Sequence, residues 1–230
     1  MILAQEDMPL FDWDWVGRNL DTIWQKTFEH LTLTGVALVV GLFISIALSA
    51  LSLWQPKAYK PITATAGTLY TIPSLAVFAL VAPLIGIGTR VQTFIIAEVA
   101  LVSYTLLILV RNIVTGIRNV PEGVRESARG MGYRDGERLR EIEFPIALPV
   151  IIAGVRIATV TVVGLVTVTS LIGWGGLGFF ILDGLRRSII FPTEIIVGVV
   201  LSISLAALLD LGLLALGRAL TPWAHLGSEG

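Results

Sequence analysis

Residues 126–132 read Glu-Ser-Ala-Arg-Gly-Met-Gly, and after nine intervening residues the chain continues Ile142-Glu143-Phe144-Pro145. This polar stretch lies between two apolar runs, 91–110, whose one charge is Glu98, and 146–171, whose one charge is Arg156. Further out, 31–53 and 61–89 carry no charge, and 195–217 carries only Asp210. A helix needs about 20 apolar residues to cross a hydrocarbon core of about 30 Å. Continuous runs favour helices over the alternating strands of a barrel, because a helix satisfies its own backbone hydrogen bonds. The expected fold is therefore an all-α integral membrane protein with about five transmembrane helices, at 31–53, 67–87, 91–110, 146–171 and 195–217. A segment 1–30 precedes them, a loop 111–145 joins the third to the fourth, and a tail 219–230 follows.

Composition agrees. Of 230 residues 55% are hydrophobic and 14% charged, with a mean hydropathy of +0.84, which is too apolar for a soluble domain. The net charge of −1 gives no pull on nucleic acid. Without cysteine there is no thiolate nucleophile and no Cys-based metal site. His30 and His225 fall outside the expected spans and read as surface residues, which argues against an intramembrane Ser–His enzyme. No catalytic residue and no metal site is expected. A secondary transporter, the other alternative, would show two related halves, and no repeat is visible.

Orientation follows from the Lys and Arg count in the connections. Ten fall on one side: Lys57, Lys60, seven arginines within 111–140, and Arg218. The other side has five, Arg18, Lys26, Arg90, Arg186 and Arg187. The loop 111–145 is thus expected in the cytoplasm, with the N-terminus outside and the C-terminus inside. The first 30 residues have no apolar core before Asp12 and do not read as a cleavable signal. From Leu20, apolar residues at Ile23, Trp24, Phe28 and Leu31 share one helical face. They suggest a helix lying on the outer surface ahead of the first span, against the alternative of a solvated leader.

The loop resembles the coupling loop of bacterial ABC importer permeases, which runs Glu-Ala-Ala, three residues, Gly, nine residues, Ile, any residue, Leu-Pro. Glu126, Ala128, Gly132, Ile142 and Pro145 match; Ser127 and Phe144 depart mildly. Tyr70-Thr71-Ile72-Pro73-Ser74, Gly116-Ile117-Arg118-Asn119-Val120-Pro121, Leu148-Pro149 and Gly173 with Gly175-Gly176-Leu177-Gly178 are similar to permeases of the glycine betaine, carnitine and choline subgroup. That resemblance implies a type I importer (MetI-like) permease fold in a bacterial inner membrane. It also implies a translocation path for a quaternary-amine osmoprotectant, with amino acids or another small polar solute as the alternative cargo. The implied partners are two copies of an ABC ATPase subunit, a second permease subunit, identical or different, and an extracytoplasmic substrate-binding protein. No glycine-rich phosphate loop ending in Gly-Lys-Ser/Thr occurs in the chain, so no cofactor is expected and ATP is assigned to the ATPase partner.

Within the loop, Val124, Ala128 and Met131 recur at helical spacing as a small apolar face, with Glu126 and Arg129 beside it. Gly130 and Gly132 would turn the chain out sharply. Candidates for the translocation path are Tyr70, Pro73 and Ser74, where proline interrupts the second run, Glu98 in the third, and Trp174 and Phe179 in the glycine-rich connection. That connection reads either as an outer gate or as a re-entrant turn whose glycines allow close packing. Arg156 and Asp210 lie at matching depth in their helices. They are expected either to pair or to stand apart, with Arg156 snorkelling to the headgroups.

Overall fold

A computed structural model of the chain describes residues 10–187 and 191–225. Residues 1–9 of the expected external segment, 226–230 of the tail and the side chain of His225 lie outside the described residues. Helix α1 (Trp13–Arg18) is capped by Asp12, whose carboxylate accepts from the Trp15 N–H at 2.9 Å. Helix α2 (Leu20–Trp54) then runs unbroken for 35 residues. At 1.5 Å per residue it is about 52 Å long, well over the hydrocarbon thickness. The separate surface helix expected from Leu20 is therefore the first part of this long helix. No proline or glycine between Leu20 and Thr34 ends it.

Helices α3 (Pro56–Thr71) and α4 (Ser74–Ile85) occupy the place of the expected second span. The break falls at Ile72-Pro73, where Ile72 is extended at φ −69° and ψ 128°. Proline excludes its predecessor from the α region, so it ends the helix here instead of only removing one bond from it. The Ile72 carbonyl accepts a hydrogen bond from the Tyr104 hydroxyl, and the Tyr104 ring meets Tyr70 edge-on at 5.6 Å.

Helix α5 (Arg90–Arg118) continues past residue 110, so the loop is shorter than expected. It contains α6 (Glu122–Gly130) and α7 (Asp135–Arg138). A π-helical stretch, Leu139–Glu143, feeds α8 (Phe144–Val166), which tightens into a 3-10 stretch at Thr167–Ile172. Helices α9 (Gly178–Arg186) and α10 (Pro192–Leu220) complete the order. Among the described residues four helices are long and apolar enough to cross a membrane, with α3 and α4 as a fifth if taken as one broken span. No strand occurs among the described residues.

The described chain divides into two compact units, and α2, α5, α8 and α10 give residues to both. The first takes 10–36, 74–100 and 163–206. Its core holds Leu33, Phe78, Ile96, Leu177 and Phe180, each 2% exposed or less. The second takes 37–73, 101–162 and 207–225. There Ile113, Ile117, Ala147 and Ile151 pack with Leu42 and Leu53. Helix backbones approach closely at small residues: a Cβ on Gly41 would collide with Thr105, and one on Gly154 with Asn112.

The bond to Ile72 yields a test. Tyr104→Phe keeps the ring and leaves the carbonyl unsatisfied, a loss of roughly 1–3 kcal/mol. A lowered thermal midpoint of the purified protein in detergent is the expected result, with Tyr70→Phe, which removes no bond described here, as the control.

Candidate functional site

The loop is built around Glu143, which is 5% exposed. Arg138 donates from Nε to its Oε1 at 2.6 Å, and Arg125 Nε lies 3.6 Å from the same oxygen. Arg125 also reaches back to α5, donating from Nη2 to the Ile117 carbonyl at 2.6 Å. One carboxylate thus holds α6 and α7 against the chain that enters and leaves the loop. Glu137 accepts from the Arg134 N–H at 2.9 Å and starts α7.

The expected apolar face on α6 is divided. Ala128 is fully buried against its own unit, Val124 is half-buried and Met131 is 69% exposed. The outward side of α6 includes Glu126, Ser127 and Arg129, followed by Met131 at its C-terminal cap, with Arg129 tied to Glu122 at 3.2 Å. Of the two glycines expected to turn the chain, Gly132 has φ +89° while Gly130 stays helical.

The path candidates fall in both units. In the second, Tyr70 and Pro73 stand at the α3 terminus beside Tyr104. In the first, Ser74 opens α4, and Glu98 is 8% exposed with neither carboxylate oxygen hydrogen-bonded among the described residues. Trp174 donates from its indole N–H to the Arg90 carbonyl at 2.9 Å, and the Arg90 guanidinium lies 4.6 Å from the Trp174 ring. Lys26 Nζ lies 4.9 Å from the Phe179 ring. Glu29 joins these two contacts, accepting from Lys26 at 2.7 Å and from Arg90 at 3.5 Å.

The glycine-rich connection is packed against α2. His30 is fully buried, not a surface residue. Its Nδ1 accepts from the Leu177 N–H at 3.3 Å. A backbone N–H can only donate, so the ring hydrogen sits on Nε2 and is given to the Val163 carbonyl at 3.1 Å. Gly176, at φ +43°, lies so close that a Cβ there would stand 2.6 Å from the His30 Cβ. In the second unit Arg156 and Asp210 form a two-pronged pair, Nε to Oδ1 at 2.8 Å and Nη2 to Oδ2 at 2.7 Å. No cluster of three or more metal-ligating side chains occurs among the described residues.

The chain, with this charged hairpin of short helices set between long apolar ones, matches over residues 37–223 the family described as binding-protein-dependent transport system inner membrane component. The chain belongs to that family. Similar curated proteins include a choline transport system permease protein of Bacillus subtilis (strain 168), 38% identical over 198 residues, covering 86% of this chain and 88% of that one. A glycine betaine/carnitine/choline transport system permease protein of the same organism is 36% identical with the same coverage. An osmoprotectant import permease protein of Salmonella typhimurium is 37% identical over 85% of this chain and 90% of its own length. The inward-facing MetNI methionine ABC transporter shares the fold, with a TM-score of 0.72 at 20% identity, covering 92% of this chain and all of that one. The all-α permease fold follows, in a multi-pass membrane protein whose relatives are transport subunits.

Three residues that position this permease's parts had no signal in the sequence. Glu143 occupies the position of the loop pattern that accepts any residue, and Tyr104 and His30 bond partners far away in sequence. Replacing Glu143 with alanine removes the carboxylate that two half-buried arginines share, while Arg138 keeps Asp135 and Arg125 keeps the Ile117 carbonyl. About 1.5–3 kcal/mol should be lost, the range for hydrogen bonds to charged groups. A lower unfolding midpoint of the purified permease would register it. For Arg156 and Asp210, charge reversal at either position should lower assembly or transport, and Arg156→Asp combined with Asp210→Arg should restore part of it. Damage in the double variant equal to the two single losses together would mean that the two side chains do not act as a pair.

Proposed function

We propose that this permease is the membrane subunit of an ATP-driven importer of quaternary-amine osmoprotectants of the glycine betaine, carnitine and choline type. The observation that carries the reading is the segment 122–143, a short helix held from behind by Arg125, Arg138 and Glu143 so that Glu126, Arg129 and Met131 face outward. A connector needs no such bracing. A surface that must take force from a soluble partner does, and an ABC ATPase subunit is that partner, present in two copies. The curated relatives support the choice of solute: proteins 36–38% identical over most of the chain are named for choline, glycine betaine and carnitine transport or osmoprotectant import.

The excess of Lys and Arg on the loop side supports a cytoplasmic loop and C-terminus and an external N-terminus. A second permease subunit completes the path, and a binding protein delivers solute from outside. ATP binds and is hydrolysed on the partner. Path candidates in this reading are Tyr70, Pro73, Ser74, Glu98, Trp174 and Phe179. The pair Arg156–Asp210 braces the second unit and is positioned to break during transport.

Two measurements test this. A single cysteine at Ser127 should resist an impermeant thiol reagent in intact cells, and one at Thr89 should react, with no native cysteine to confuse the signal. Labelling at 127 from outside would overturn the orientation. In proteoliposomes carrying the ATPase and binding protein, the wild type should take up glycine betaine with ATP. Gly132→Val forces a β-branched residue into left-handed backbone at a cost of about 1–2 kcal/mol, and Glu126→Lys reverses an exposed charge on the contact face. Both should abolish ATP-driven uptake while the permease still reaches the membrane. Wild-type uptake rates in both variants would remove the loop from the mechanism.

A further inference from the structure

The side with fewer cations holds its charges in a particular way. Lys26 and Arg90 share Glu29. Arg187 is bound by Asp183 at 3.2 Å and by Glu194. Arg186 forms no ion pair with any described residue. It instead lines a hollow of about 270 Å³ in the first unit. Lys26, Asp183, Phe179, Leu182 and Ser170 stand around the same hollow. Glu29 occupies one of the three N–H donors of Lys26, and Arg187 approaches only one oxygen of Asp183. The hollow therefore offers two cationic donors, one carboxylate, which Arg187 and Glu194 also approach, and an apolar wall.

We infer that this hollow is a subsite for the transported solute, shaped for a small zwitterion. The solute carboxylate lies against Lys26 and Arg186, its alkylammonium against Asp183, and its methyl groups against Phe179 and Leu182. Size agrees: the volume is a little under the roughly 300–1,000 Å³ of sites that take drug-sized ligands, which suits a smaller molecule. The glycine-rich connection forms part of the boundary through Gly173 and Gly175, and a Cβ on Gly175 would collide with Ser170. The inference rests on the osmoprotectant reading above. It adds a discrimination that the reading alone does not contain, because Arg186 meets only solutes that carry a carboxylate.

Glycine betaine and choline separate the possibilities, since both carry a trimethylammonium group and only the first has a carboxylate. The assembled transporter is compared in proteoliposomes with saturating binding protein loaded with one solute or the other. Arg186→Gln should lower the ratio of glycine betaine to choline uptake rates about fivefold, the upper end of what an exposed ion pair is worth. Arg186→Lys, which keeps the charge, should restore most of that ratio. An unchanged ratio overturns the subsite. So does an equal loss for both solutes that more binding protein cures, because Arg186 would then be a docking contact for that protein. Wild-type vesicles that take up neither solute would overturn the osmoprotectant reading and the subsite together, whereas wild-type uptake of both with an unchanged ratio in the variant removes the subsite alone.

Discussion

Inside a bilayer no water is available to a backbone N–H or C=O that its helix leaves open, and each such group costs several kcal/mol if nothing else takes it up. This chain interrupts its apolar helices more than once, and the breaks after Ile72 and after α8 are met by side chains from elsewhere in the same unit. Proline at 73 frees the Ile72 carbonyl, and Tyr104 donates to it. The connection after α8 turns through Gly173 and Gly176 at positive φ, and His30 takes the Leu177 N–H while giving its own hydrogen to the Val163 carbonyl. The irregular segments are thereby held in place.

The same reasoning explains which features the sequence made legible. Uncharged runs of about 20 residues announce spanning helices because burial in lipid is a property of composition. The positions of α2, α5, α8 and α10 were open to that reading, as was the polar hairpin between the third and fourth runs. Length was less legible. Helix α5 continues to Arg118 and α2 begins at Leu20, since nothing in a charged residue stops a helix once it leaves the hydrocarbon.

The satisfying side chains were not legible at all. Tyr104 bonds a carbonyl 32 positions away, and His30 bonds groups 133 and 147 positions away. No periodicity in one sequence encodes such pairings. Histidine near the edge of an apolar run looked like a surface residue because its burial depends on a glycine, Gly176, that lets a distant backbone lie against it. Glu143 is hidden in the sequence for a related reason: among many charges in a polar loop, only the fold distinguishes the one turned inward.

The hairpin joins the long helices on its two sides through different backbone. From Asp135 the backbone stays helical through the wide turn at Leu139–Glu143 and on into α8. Between Arg118 and Glu122 it passes through Asn119-Val120-Pro121, where helical bonding is interrupted. A load applied at Glu126–Met131 therefore crosses a joint on either side, Met131–Arg134 with its left-handed Gly132 before the helix that runs on into α8, and Asn119–Pro121 before α5. Helix α6 is thus a floating link, whose place is set by what Arg125 holds, the Ile117 carbonyl and Glu143, and not by unbroken helix on either side.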